Sequence, residues 1–181
     1  MATTPFSKQL SNRNFLSPIG FQFSLAKYPK VSFFCNSAKI PQITLQTETQ
    51  STYLKRIDVP GDQLEYSDLT LRFLVDEDLV NYVAIHNWLT ALGFPESTEQ
   101  FDKMLNENGT HDQLNFFSDG SLIILNSNYV SKATIKFKDL FPVSLTSLDF
   151  SATDTDVNYF TAEVSFKYTI YDILNMQNKP L

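Results

Sequence analysis

The sequence predicts a mainly β domain, an antiparallel barrel or sandwich with one α-helix flanking it. Two observations carry this expectation. Several short segments alternate apolar and polar residues, the period of a strand with one buried face. Only one long run changes to the 3.6-residue period of a helix.

Taken in order, residues 1–17 are polar, with widely spaced apolar residues, and read as a flexible arm. A single domain is expected over 18–173, with 174–181 as a tail. It opens with "FQFSLA", which places Phe21, Phe23 and Leu25 on one face. "VSFFC" and "ITLQT" read as short strands separated by "NSAKIPQ", where Pro41 interrupts pairing. "LTLRFLV" is a strand with Leu69, Leu71, Phe73 and Val75 inward.

At Asp76 the period changes. The helix is expected over about 76–92, with Asp76 as N-cap and Gly93 then Pro95 ending it. Leu79, Tyr82, Ile85 and Leu89 form its packing stripe with Leu92, and Val83 and Trp88 lie at the stripe's edges. Residues from about 94 to 130 read as an insert, polar and turn-rich over 95–120, with room for a short helix around Thr98–Leu105. "SLIILNS", "KATIKFKDL" and "LTSLDFS" are further strands. The last is "NYFTAEVSFKYTIYD", an unusually long strand with Phe160, Ala162, Val164, Phe166, Tyr168 and Ile170 on one face and Tyr171 on the other.

With 181 residues the chain suits one domain with a substantial core. The lone Cys35 excludes an internal disulfide and any cysteine-built zinc site, and suits a reducing compartment. No signal peptide is visible at the start, and no apolar run reaches the length of a membrane-spanning helix, so a soluble protein is expected. The net charge of −6 is opposite to the basic face that holds nucleic acid by its phosphates. The sequon at Asn108–Thr110 reads as an Asn-Gly turn.

Chemistry is hard to find. His86 and His111 lack partners at metal-ligand spacing. There is no phosphate-binding glycine loop and no nucleophile elbow. The acid-rich stretch "LKRIDVPGDQLEYSDLTLRFLVDED" has a proline where a calcium loop needs a ligand. Its acids have structural explanations: Asp62 in a turn after Pro60-Gly61, Asp68 before a strand, and Asp76 to Asp78 at a helix start. No catalytic residue, metal or cofactor is expected.

Order along the chain carries more information than any single motif. "SAKIP", "YLKRIDVPGD", "DLTLRFLVDED" and a helix with a Trp near its end are followed by "KATIKFKDLFPVSLTSLDFSATDTDVNYFTAEVSFKY". This order, over roughly Asn14 to Asp172, resembles the tail tube proteins of contractile-tailed bacteriophages, relatives of type VI secretion tube proteins. The resemblance implies a tail-tube-like fold and a structural virion protein rather than an enzyme. Subunits of this kind form homo-hexameric rings that stack into a tube, with a sheath outside, tape-measure protein and then DNA inside, and baseplate or neck proteins at the ends. No membrane partner is implied. Localisation would be the virion tail, assembled in the host cytoplasm.

By position, the loop Thr47 to Lys55 resembles the one that reaches the neighbouring ring. Thr47, Glu48, Tyr53, Lys55, Arg56 and Asp58 are therefore the expected contact residues. Relatives with the same core also cap the tube as initiators or terminators, and the 94–130 insert leaves that alternative open. A monomeric β-sandwich binding module is a more remote reading.

Overall fold

A computed structural model describes residues 20–29, 35–93, 95–105, 116–126, 128–150, 159–177 and 179–180. The expected arm at 1–17, His111, the sequon and most of "VSFFC" lie outside them.

Alternation produces the antiparallel strands expected of it. Strand β1 (Phe21–Leu25) pairs with β6 (Ser118–Leu125), which pairs with the long β7 (Ser131–Leu145). On the other side β2 (Cys35–Ala38) pairs with β5 (Leu69–Leu74), and β5 with β8 (Thr161–Lys167). The first part of β7 pairs with β9 (Ile170–Asn175) and its last residues pair with β8. One strand thus belongs to both halves of the sandwich. The end strands β1 and β2 also approach each other, so the sandwich bends toward a barrel.

Several local expectations are corrected. "NSAKIPQ" is not simply a separator, because Asn36 to Ala38 belong to β2. Pro60-Gly61 is not a turn: it lies inside β4 (Arg56–Tyr66), which pairs with β3 (Ile43–Ser51) in a separate two-stranded ribbon. β7 runs on through Phe141-Pro142, and among the described residues "LTSLDFS" contributes only Leu145 to a strand. Proline is tolerated wherever the ladder does not need its missing N–H. β6, within the span read as an insert, is the strand between β1 and β7.

The long final strand divides into β8 and β9. Buried residues of β7 fall at Ile135 and Phe137, then at Leu140 and Pro142, so the alternation slips by one residue. Asp139, at φ 54°, absorbs that slip. The neighbouring β8–β9 segment slips opposite it, at Tyr168 and Thr169, where the Thr169 N–H donates to the Lys138 carbonyl at 3.0 Å. Lys138 also bonds Asp172 at 2.7 Å, and that hydrogen bond holds its pKa above the ordinary value. Ile170, beyond the slip, is consequently 38% exposed rather than on the buried face, while Phe160, just before β8, is 40% exposed.

Helix α1 spans Val80–Gly93, and a second helix, α2, spans Thr98–Leu105. The start of α1 is later than the expected 76, and Asp76 is not its N-cap. The Asp76 carbonyl accepts the Leu79 N–H in a preceding turn, and Leu79 sits at φ 57° with its carbonyl accepting from Val83. Buried Asn81 explains the delay. Its Nδ2 donates to the Leu74 carbonyl at 2.8 Å, and its Oδ1 accepts the Asp76 N–H at 3.3 Å, satisfying the backbone between β5 and the helix.

The buried face of α1 is Asn81, Ile85 and Trp88, with Tyr82 and Leu89 partly buried beside it. Trp88 is therefore central rather than marginal. Leu79 is 38% exposed and leaves the stripe, because it precedes the helix. Ile85 and Trp88 join Phe23, Leu71, Phe73, Phe137, Val164 and Phe166 in the core.

Cys35 packs beside this core, and burial pushes its thiol from 9.0 up to about 12. The nucleophilic thiolate is correspondingly scarce. At about pH 8.5, alkylation by iodoacetamide should be more than about tenfold slower in the native protein than in the unfolded chain. Mass spectrometry would read both rates; rates within tenfold would contradict the buried thiol.

Candidate assembly surface

The β3–β4 ribbon stands apart from the sandwich. All nine residues of β3 are exposed, and so are eight of the eleven of β4. At about 3.3 Å per residue, nine residues reach about 30 Å. This arm replaces the loop expected at Thr47–Lys55. The loop proper is only its tip, closed by the Thr52 N–H donating to the Lys55 carbonyl at 3.2 Å and the Lys55 N–H donating to Thr52 Oγ1 at 3.2 Å.

The register shows how the sequence builds an arm instead of a plain hairpin. Leu45 opposes Leu64, yet Thr47 opposes Pro60, so β4 carries two more residues than β3 between those pairs. Gly61 sits in this bulge. A Cβ there would lie 2.6 Å from the Gln46 carbonyl oxygen, so only glycine permits the close approach. Gln46 Nε2 bridges to Glu65 Oε1 across the same point at 2.5 Å. A bulge with a proline twists and blunts the ribbon edge, which hinders indiscriminate strand pairing.

All six expected contact residues lie on the distal half of the arm. Thr47 pairs with Pro60, Glu48 with Val59, Asp58 with Thr49 and Arg56 with Ser51, while Tyr53 and Lys55 occupy the tip. Tyr53 and its neighbour Leu54 are almost fully exposed. The register adds an apolar face nearer the root that those six residues omit. Ile43 opposes Tyr66 and Leu45 opposes Leu64, so these four share one side. Ile43, Leu45 and Leu64 are 47%, 45% and 52% exposed. The i, i+2 spacing in "ITL" and "LEY" was the available signal, but it could not show that, among the described residues, Ile43, Leu45 and Leu64 stay about half exposed.

The root of the arm is held by side chains from the β8–β9 junction. The Tyr168 hydroxyl donates to the Ser67 carbonyl at 2.9 Å, and the Tyr171 hydroxyl to the Pro41 carbonyl at 3.3 Å. Gln42 and Ser67 close the last rung, with the Ser67 N–H donating to the Gln42 carbonyl and the Gln42 N–H to Ser67 Oγ. Sequence reasoning missed both tyrosines because it placed them on opposite faces of one strand.

Among the described residues, no three His, Cys, Asp or Glu side chains gather where they could hold a metal ion, and no helix is long and apolar enough to cross a membrane. The architecture offers a sandwich with a projecting, partly apolar arm, a shape suited to contact with other chains.

Comparison with known proteins agrees with that shape. The fold is similar to a chain in the anti-feeding prophage cap, its tube terminating cap, at TM-score 0.66 and 15% identity, covering 96% of this chain and 99% of that one. It is also similar to a chain in the extended sheath/tube terminator of the PVC extracellular contractile injection system, at 0.56 and 20%, covering 90% and 99%. A chain of the extended PVC sheath-tube complex matches at 0.56 and 20%, covering 97% and 100%. No curated protein matches in sequence. A family model described as phage tail tube protein matches residues 3–174, nearly the whole sequence, and the chain belongs to that family.

Proposed function

We propose that this protein is the repeating subunit of a contractile-tail tube. Six copies close a ring, rings stack head to tail, and the β3–β4 arm of each copy seats on the next ring. Its role is structural, without catalysis. The observation that carries the reading is the arm: an isolated subunit gains nothing from exposing Ile43, Leu45, Leu64, Tyr53 and Leu54, whereas a stacked one buries them. Lateral closure of a ring with open-ended axial stacking is heterologous assembly, which requires unlike surfaces on the two ends of each copy.

A sheath outside the ring, and tape-measure protein and DNA inside it, are the partners this role implies, with baseplate or neck proteins at the tube ends. The net charge of −6 supports a conduit, since a wall rich in lysine-to-phosphate contacts would retard DNA. Assembly in the host cytoplasm and a final place in the virion tail follow from the same reading.

Fold alone does not rank a repeating subunit against a tube-end subunit, since a cap and a sheath-tube complex both contain it. Negative-stain electron microscopy of the concentrated purified protein separates them. Long tubes are the expected result. Rings that never stack would assign the protein to a tube end, and a persistent monomer that also fails to add to purified tube ends would favour a binding module.

A further inference from the structure

The break between β8 and β9 has a consequence for the arm. On an uninterrupted strand, residues i and i+3 point to opposite faces. Because the chain slips at Tyr168 and Thr169, the rings of Tyr168 and Tyr171 instead lie together, with centroids 6.0 Å apart. Both pack on Phe137, a fully buried core residue, at 5.1 and 5.7 Å. Both also meet Tyr66, the last residue of β4, edge-on at 6.1 and 5.8 Å. Their hydroxyls then reach the two roots separately, Tyr168 to Ser67 and Tyr171 to Pro41. A rigid core residue is thus linked through two rings to both strands of the arm.

We propose that Tyr168 and Tyr171 are positioning residues that fix the direction of the β3–β4 arm, so that it meets the next ring at one angle. A two-stranded ribbon rooted at only two backbone points would swing about them, and a swinging arm would lose entropy at every stacking contact. The clamp removes that freedom before assembly. Burial raises the Tyr168 hydroxyl to about 12, so it stays a hydrogen-bond donor throughout the working pH range. The stacking part of this inference rests on the assembly reading; the fixed arm does not.

The test uses the full chain with both tyrosines changed to phenylalanine, Y168F/Y171F, which keeps the rings and removes the hydroxyls. Spin labels at Tyr53→Cys and Lys132→Cys report the arm-to-sandwich distance distribution by pulsed electron resonance. The distribution should widen at least about twofold, and the Gln42 and Ser67 amides should exchange hydrogen about tenfold faster. Tube formation should drop sharply under conditions where the parent chain forms tubes. An unchanged distance distribution, with or without a lower melting temperature, would reduce the tyrosines to ordinary packing and overturn the proposal. A widened distribution with normal tubes would remove their role in stacking. A companion chain with Gln46–Gln63 replaced by Asn-Gly distinguishes the two readings: if it still stacks, the arm-based assembly reading fails, while the spin-label result still decides whether the clamp exists.

Discussion

Replacing Trp88 with alanine is expected to destabilise the protein by about 3–5 kcal/mol. Trp88 is 1% exposed and one of the largest fully buried side chains among the described residues. It lies at the centre of the buried face of α1, and its ring meets Phe166 of β8 at 6.4 Å and Tyr28 edge-on at 6.0 Å. Its indole N–H donates to the Phe116 carbonyl at 3.1 Å, joining the helix to the segment that enters β6. Truncation removes the packing, leaves a cavity and strands that carbonyl. Lys27, whose ammonium sits 5.6 Å from the ring centroid, loses a cation–π partner as well. Chemical denaturation should show the loss, and the melting temperature should fall by roughly 8 °C or more. Trp88→Phe should recover much of the packing but not the hydrogen bond. A W88A protein that melts like the parent would mean that α1 does not hold the sandwich together.

The second large effect should be on assembly and not on stability. Replacing Gln46–Gln63 with Asn-Gly joins the strands beyond the Leu45–Leu64 pair by a two-residue turn suited to a hairpin. The segment removed is almost wholly exposed and contributes little to the core. The melting temperature should stay within about 2 °C, as expected for changes away from buried features. Stacked tubes should disappear, leaving rings or single subunits in electron micrographs. The excision also removes all six residues proposed to make the axial contact, Thr47, Glu48, Tyr53, Lys55, Arg56 and Asp58. Normal tubes from this chain would move the axial contact elsewhere.

Strands with one clean buried face were legible from sequence. Leu69, Leu71 and Phe73 alternate as written, and so do Phe23 and Leu25, because a half-buried strand leaves its period in the residues. Order along the chain pointed to the family. Three things were hidden, each for a physical reason. Pro60-Gly61 and Phe141-Pro142 look like turns, but proline also sits where a strand needs no donor, and only pairing partners reveal that. The parity slip at Asp139 and Tyr168–Thr169 needs two strands side by side, and neither segment alone announces it. The acids at Asp76 to Asp78 suggest a helix start, yet the amide of Asn81 takes the local hydrogen bonds and delays the helix to Val80. Sequence reasoning named candidate contacts only toward the tip of the arm and none at its root, since what fixes the root lies about a hundred residues downstream.

Strand β7 also bears on how such a subunit carries load. Its first part is hydrogen-bonded to β6 and β9, and its end to β8. A force tending to slide one half of the sandwich over the other must therefore break several hydrogen bonds together or stretch the covalent backbone at Asp139. Two sheets joined only by side-chain packing would yield to such shear much sooner. A wall built from these subunits would pass an axial thrust from copy to copy as a stiff column, with its compliance confined to the contacts between them.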